Sequence, residues 1–181
     1  MTNKPIDAAQ VKRTLKSLST GQIDAKDPLT ALACVSLRVR ASGNRIGRAQ
    51  ALAELIQAIV YANLLDCRRI ERADATVDQN APLDACLRAD FAAGNAERES
   101  WSALFHYDLS PAGRLADEVA DSASTSRNTF DRRRGKGRVL LTDEINRREA
   151  VAARQLQALE PERLPLETYR RDCLERWQQP R

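Results

Sequence analysis

Aromatic residues and histidine are scarce in this chain. Phe, Trp and Tyr make up 4% of its 181 residues, and His occurs once. A single histidine makes Cys/His zinc sites and paired-imidazole catalysis poor hypotheses. The four cysteines lie far apart and form no Cys-x-x-Cys pair, so their spacing predicts no metal site either. We therefore expect neither a metal nor another cofactor.

Long apolar runs are missing as well. The longest, within residues 49–65, is interrupted by Glu54 and Gln57, so we expect it not to cross a bilayer. The first ten residues, MTNKPIDAAQ, lack the apolar core that a secretory signal needs. These absences predict a cytoplasmic protein with no membrane partner, whose cysteines stay reduced.

What the chain does contain is helix-forming residues. Ala, Leu, Arg, Glu and Gln dominate, and they are among the best helix formers. The 43% hydrophobic and 30% charged residues are typical of a folded globular protein. Alternating strand patterns with a period of two are absent. The sequence therefore predicts an all-α fold.

Helical periodicity divides the chain into predicted helices, with a polar linker at 72–82 and an interruption at Gly135 and Gly137. We expect two parts: a helical bundle at 1–94 for dimerisation or partner docking, and a helix-turn-helix region with flanking helices at 95–181. The predicted helices cover about 7–18, 28–39, 47–66, 83–91, 97–109, 111–123, 139–160 and 166–178, and a further basic helix is predicted to start at Ser126 and to be interrupted by the two glycines.

One segment concentrates positive charge. SASTSRNTFDRRRGKGR runs from Ser122 to Arg138, and six of its last twelve residues are Lys or Arg. Ser126 is a candidate helix cap, and Phe130 is a candidate apolar anchor for the helix that follows. A helix, a short turn containing Ser and a second helix with a basic start form the layout of a DNA-binding helix-turn-helix.

Side-chain chemistry assigns roles within this segment. Asn pairs well with adenine and Arg with guanine, whereas closely spaced arginines suit backbone phosphates. We therefore predict base contacts from the first turn, phosphate contacts from the later cations, and a homodimer that reads two half-sites. The predicted DNA-binding residues are Ser126, Arg127, Asn128, Thr129, Arg132, Arg133, Arg134, Lys136 and Arg138.

The motif SRNTFDRRR followed by GRVLLTDEI resembles the helix-turn-helix of sigma-factor region 4 type, found in bacterial transcription regulators and multidomain ATPase proteins. The preceding WSALFHYDLS is similar to that family's scaffold helix and Leu-Ser turn. The resemblance covers residues 97–149. It implies that Arg127, Asn128 and Thr129 face DNA and that 132–134 face phosphates, in a protein that regulates transcription. Ala123 and Thr125 depart from the bulky residues usual at those positions.

Two other functions have to be weighed. One is a non-enzymatic helical adaptor of a bacterial multi-protein system, possibly in phage defence, in which the basic segment contacts protein or RNA. The other is an enzyme, which the sequence disfavours. His106 lies among aromatic residues on a predicted structural helix, and SGNRIG lacks the Lys-Ser/Thr ending of a phosphate-binding loop.

Overall fold

The structure, a computed structural model, describes residues 5–21, 23–70, 83–110 and 115–159. Every regular element within these ranges is helical, which confirms the all-α prediction. A 3-10 turn at Pro28–Ala31 precedes α2, and a π-helical turn at Leu104–Asp108 continues α5. The α-helices are α1 Ala8–Ser19, α2 Ala33–Ala41, α3 Arg48–Ile70, α4 Leu83–Ala92, α5 Ala96–Ala103, α6 Ala116–Ser122 and α7 Arg127–Leu159.

Short polar side chains start several helices where the sequence predicts a start. Asp7 accepts from the Gln10 backbone N–H at 2.8 Å, and the Gln10 side chain accepts from the Asp7 N–H in return. Asp27 accepts from the N–H of Leu29 at 2.9 Å, and Asn95 caps α5. These bonds satisfy amide donors that have no partner inside the helix, so the first turns can form.

The predicted helix that begins at Pro28 is divided in two, which corrects the expectation of one element. Leu32 has an extended ψ of 147°, and its side chain cannot cap α2. Instead Glu149, on α7, accepts from the N–H groups of Ala33 and Cys34 at 3.0 and 3.1 Å. A carboxylate at the positive end of a helix dipole is stabilising. The cap of α2 is therefore supplied by a residue more than a hundred positions away.

The main hydrophobic core unites both predicted parts of the chain. Its N-terminal members include Val11, Leu15 and Leu52, and its C-terminal members include Trp101 and Ile145. The face of α3 within it is broad and includes Ala51, Leu52, Leu55, Ile56, Ile59, Val60 and Leu64. The two parts therefore share one core, and the boundary at residue 94 stays a prediction.

Helix α7 is continuous from Arg127 to Leu159, so the predicted interruption at two glycines is wrong. At Gly137 the helix crosses α5 closely: a Cβ there would lie 2.6 Å from the backbone oxygen of Ser100. Nothing lies within 4 Å of the corresponding position at Gly135. Gly137 thus marks a close helix–helix contact that a larger residue would obstruct.

Some predictions fall on other residues. The linker at 72–82, the helix start at Pro111 and the helix at 166–178 with Trp177 lie outside the described residues. In the part of the chain that the structure does describe, no helix is both long and apolar enough to cross a membrane.

Candidate nucleic-acid interface

The turn between α6 and α7 has the layout that the sequence predicts. Ser124 takes a left-handed conformation with φ 52°, and the Thr125 N–H donates to the Ala120 carbonyl at 3.0 Å to close α6. Ser126 then caps α7, because its Oγ accepts from the Thr129 N–H at 3.2 Å. The predicted capping role of Ser126 is confirmed. The same hydroxyl lies 3.0 Å from the Thr129 Oγ1, which ties Thr129 into the cap.

Phe130 anchors the first turn of α7, as predicted. Its side chain is fully buried, and it stacks on Phe91 with ring centroids 6.0 Å apart. Tyr107 meets it edge-on at 5.9 Å. With Leu87 and Val119 these residues form a second hydrophobic cluster, so α4, α5 and α6 all hold the beginning of α7.

Arg127 is exposed but already engaged by two carboxylates. Its Nη1 lies 2.9 Å from Asp117, and its Nε donates to Asp131 at 2.7 Å. Hydrogen bonding to Asp131, and then to Asp117, raises the pKa of the Arg127 guanidinium. Asp131 fits no role in DNA binding, and the structure shows that it is the partner of Arg127.

Three of the later arginines, Arg133, Arg134 and Arg138, do not project outward, which corrects their assignment to phosphate. Arg133 pairs with Glu99, whose side chain is 7% exposed. Arg134 forms two parallel bonds to Asp108, at 2.7 and 2.8 Å, and Arg138 reaches the same carboxylate at 3.2 Å. All three guanidinium groups therefore contact α5 or the π-helical turn.

Burial of the acids explains why these arginines turn inward. Asp108 is 3% exposed, and a buried carboxylate is costly unless charged partners and hydrogen bonds accompany it. Burial alone would lower the pKa of Arg134, but hydrogen bonding to Asp108 and its charge outweigh that effect, and the pKa is raised. The ring of Tyr107 also lies 4.1 Å from the Arg134 guanidinium carbon. The Arg-rich run therefore joins α7 to α5.

Apart from the capping Ser126, three predicted site residues are exposed and outside the ion pairs of the described chain: Asn128, Arg132 and Lys136. They recur every four positions along α7, so they share one face of the helix. Phe130 points the other way, into the second cluster. The structure thus brings an amide and two cations together on the outer face of the first turns.

Exposed carboxylates lie on both helices that meet at this turn. Asp117, Glu118 and Asp121 are exposed on α6, and Asp131 is exposed on α7. Among the described residues, the exposed cations of the same region are Arg127, Arg132 and Lys136. Three cations against four carboxylates give the described part of this surface a net charge of −1, so these residues together do not attract DNA over long range.

A second set of buried charges was missed from the sequence. Asp90 is 1% exposed and accepts from Arg68 at 2.7 and 2.9 Å, from Arg98 at 3.1 Å and from Ser102 at 2.7 Å. This network ties α3, α4 and α5 together. The signal available in the sequence was that polar residues 98, 99 and 102 flank Trp101 on a predicted helix; the structure shows that every residue from 98 to 103 is buried.

Other chemistries find little support in the described ranges. His106 is buried within the π-helical turn and packs edge-on against Phe105 with ring centroids 5.0 Å apart. Within residues 5–21, 23–70, 83–110 and 115–159, no group of three His, Cys, Asp or Glu side chains could hold a metal ion.

The chain matches no protein-family model, and no curated protein or solved structure is significantly similar to it. The resemblance to sigma-factor region 4 therefore stays a prediction that depends on the motif around Ser126 and Phe130.

Proposed function

We propose that the protein binds double-stranded DNA selectively through the outer face of the first turns of α7. The observation that supports this is the exposed stripe of Asn128, Arg132 and Lys136 on a helix that Ser126 caps and Phe130 fixes. Asn128 would read a base edge, preferably adenine. Arg132 and Lys136 would bind backbone phosphates and fix the register.

Each copy offers only two phosphate-binding cations outside the ion pairs of the described chain, which is why we propose a homodimer. Each phosphate contact makes the slope of log K against log salt more negative by about 0.9 on B-DNA, so the DNA affinity of one copy would depend on salt only modestly. Two copies on adjacent half-sites would double the contacts and give the affinity that regulation requires. We accordingly propose a bacterial, cytoplasmic transcription regulator.

The test is fluorescence anisotropy with a pool of 24-base-pair duplexes at 50 and 200 mM salt. Arg132→Ala with Lys136→Ala should weaken binding and reduce the salt slope by about 1.8 per copy. Asn128→Ala should instead relax sequence choice at one base pair, a discrimination of about 1–3 kcal/mol.

A gain-of-binding variant makes the test sharper. Asp131→Asn removes one negative charge from the face and weakens one of the two bonds that hold Arg127, because a neutral amide oxygen accepts less strongly than a carboxylate, so duplex binding should tighten. Asp143→Asn is the matched control, because Asp143 is an exposed carboxylate of α7 more than three turns from Asp131 and in no ion pair of the described chain. Absence of duplex binding at 50 mM salt, or equal effects of the two variants, would refute the proposal.

The net charge of −1 on this face favours a second candidate, a non-enzymatic adaptor that uses the same surface to bind a protein. In that case duplexes should not bind at either salt concentration. Quantitative affinity purification should then recover a partner with the wild-type chain and lose it with Arg132→Glu and Lys136→Glu. Loss with Lys12→Glu as well would indicate non-specific capture.

A further inference from the structure

A second basic region of the chain has almost no compensating acid. Residues 28–53 contain four arginines and no Asp or Glu, so this stretch alone carries a charge equal to the +4 of the whole chain. The arginines lie at the corner where α2 ends at Ala41 and α3 begins at Arg48. We define the α2–α3 corner as residues 38–48.

The corner is held in a fixed shape by its own backbone. Gly43 and Asn44 take left-handed φ values of 65° and 60°, which fold the chain back sharply after α2. The Gly43 N–H donates to the Arg40 carbonyl at 2.9 Å, and the Asn44 N–H donates to the Val39 carbonyl at 3.0 Å. Backbone hydrogen bonds therefore fix the loop from which these side chains extend.

The four guanidinium groups of the corner differ in their partners. Arg38 pairs with Glu54 at 3.1 Å. Arg48 donates to the Thr30 carbonyl at 3.2 Å, a neutral acceptor that leaves its charge uncompensated. Arg40 and Arg45 are exposed, and neither takes part in an ion pair within the described ranges. The corner thus has a net charge of +3 when Glu54 is counted.

We propose that the α2–α3 corner binds the phosphate backbone of a nucleic-acid duplex. Arginine matches phosphate with two parallel hydrogen bonds, and the corner contains arginine and no lysine. Unlike Arg133, Arg134 and Arg138, its exposed arginines pair with no buried carboxylate of the described residues. Cations that bind phosphates release condensed counterions from DNA, and this release favours binding most when the cations have no carboxylate partner to give up.

The composition of the stretch selects a duplex rather than a single strand or a membrane. Residues 28–53 contain no Phe, Trp, Tyr or His, so no ring is available on which an unpaired base could stack. Ile46, the large apolar residue of the loop, packs against the core and offers no side chain for insertion into lipid. Backbone contact to paired strands needs neither feature.

This inference extends the proposed function but uses different residues, so each can fail alone. The variant is Arg40→Ala with Arg45→Ala, which removes two exposed charges and no described interaction. The control is Lys12→Ala with Arg13→Ala, which removes the same charge from exposed positions on α1. Circular dichroism should show that both variants keep wild-type helix content.

The measurement is binding of a random-sequence 24-base-pair DNA duplex between 50 and 200 mM salt. If the corner makes two phosphate contacts, wild-type affinity should fall about 12-fold more than that of the corner variant over this range. The α1 control should lose as much duplex affinity over this salt range as the wild type does. Equal losses in the variant and the control, or no wild-type binding, would overturn the inference.

Further arms separate the possible outcomes. If the α7 variant loses duplex binding and the corner variant does not, the inference fails and the proposed function stands; the reverse result favours the corner and refutes the α7 face. Duplex RNA in place of DNA identifies which phosphate backbone binds. Corner-dependent binding to vesicles with 30% phosphatidylserine, without duplex binding, would overturn the inference in favour of a membrane.

Discussion

Gly137→Ala is expected to destabilise the protein, whereas Gly135→Ala, two residues earlier in α7, is expected to stabilise it. Both changes replace glycine inside a helix, and each should gain about 1 kcal/mol of helix propensity. The environments of the two positions set the difference. A Cβ at Gly135 meets nothing within 4 Å, but a Cβ at Gly137 lies 2.6 Å from the Ser100 oxygen and 2.9 Å from the Leu104 Cγ.

The nearer obstacle decides the magnitude. The Ser100 oxygen belongs to the backbone of α5 and cannot rotate away, so the two helices must separate. Overpacking of this kind costs about 1–3 kcal/mol, and a backbone obstacle places Gly137→Ala near the upper value. After the gain in propensity the net loss is about 2 kcal/mol. The two variants should therefore differ by about 3 kcal/mol in the free energy of unfolding.

Urea unfolding followed by circular dichroism measures that difference directly. In thermal unfolding it corresponds to about 6–12 °C between the two midpoints, since about 1 kcal/mol shifts Tm by about 2–4 °C in a chain of this size. The double variant should equal the sum of the two single effects if only Gly137 touches α5. Stabilisation by Gly137→Ala would refute the close crossing of α5 and α7.

Three further outcomes are expected. Arg133→Ala should lower the free energy of unfolding by about 1–3 kcal/mol in urea, because it leaves Glu99 buried without its charged partner. Unchanged stability together with weaker duplex binding would instead indicate that Arg133 binds DNA. Ser124→Gly should raise stability by up to about 1 kcal/mol, because glycine adopts the left-handed conformation without strain, and a loss would refute that reasoning. Burial, and then the charge of Glu149, raise the pKa of Cys34 from 9.0 to about 12. The stability contributed by the neutral thiol is present below pH 9 and lost as the pH rises towards 12, with a slope of up to about 1.4 kcal/mol per pH unit. Cys34→Ala should remove that slope, and an equal slope in the variant would contradict it.

The basic segment of α7 illustrates how charge in a sequence relates to charge at a surface. Its arginines form the densest cationic run in the chain, yet three of them neutralise Glu99 and Asp108 inside the protein. The corner arginines are spread over eleven positions, and their sequence run is less conspicuous. They nevertheless carry more uncompensated charge, because Glu54 is the only carboxylate in an ion pair with them in the described structure.

Local signals in the sequence determined the fold class and several helix starts. The all-α class, the caps at Asp7, Asp27 and Ser126, and the burial of Phe130 all follow from helical period and short-range hydrogen bonding. These interactions join residues within a few positions of one another, so the sequence contains what is needed to predict them.

Tertiary structure alone decided which charges are free. Arg134 and Asp108 lie 26 positions apart and meet because α7 crosses α5 at Gly137. Glu149 caps α2 from more than a hundred positions away. Sequence spacing cannot show such pairings, because they depend on where two helices cross, and a charged side chain exposed in an isolated helix becomes buried once a partner helix is present.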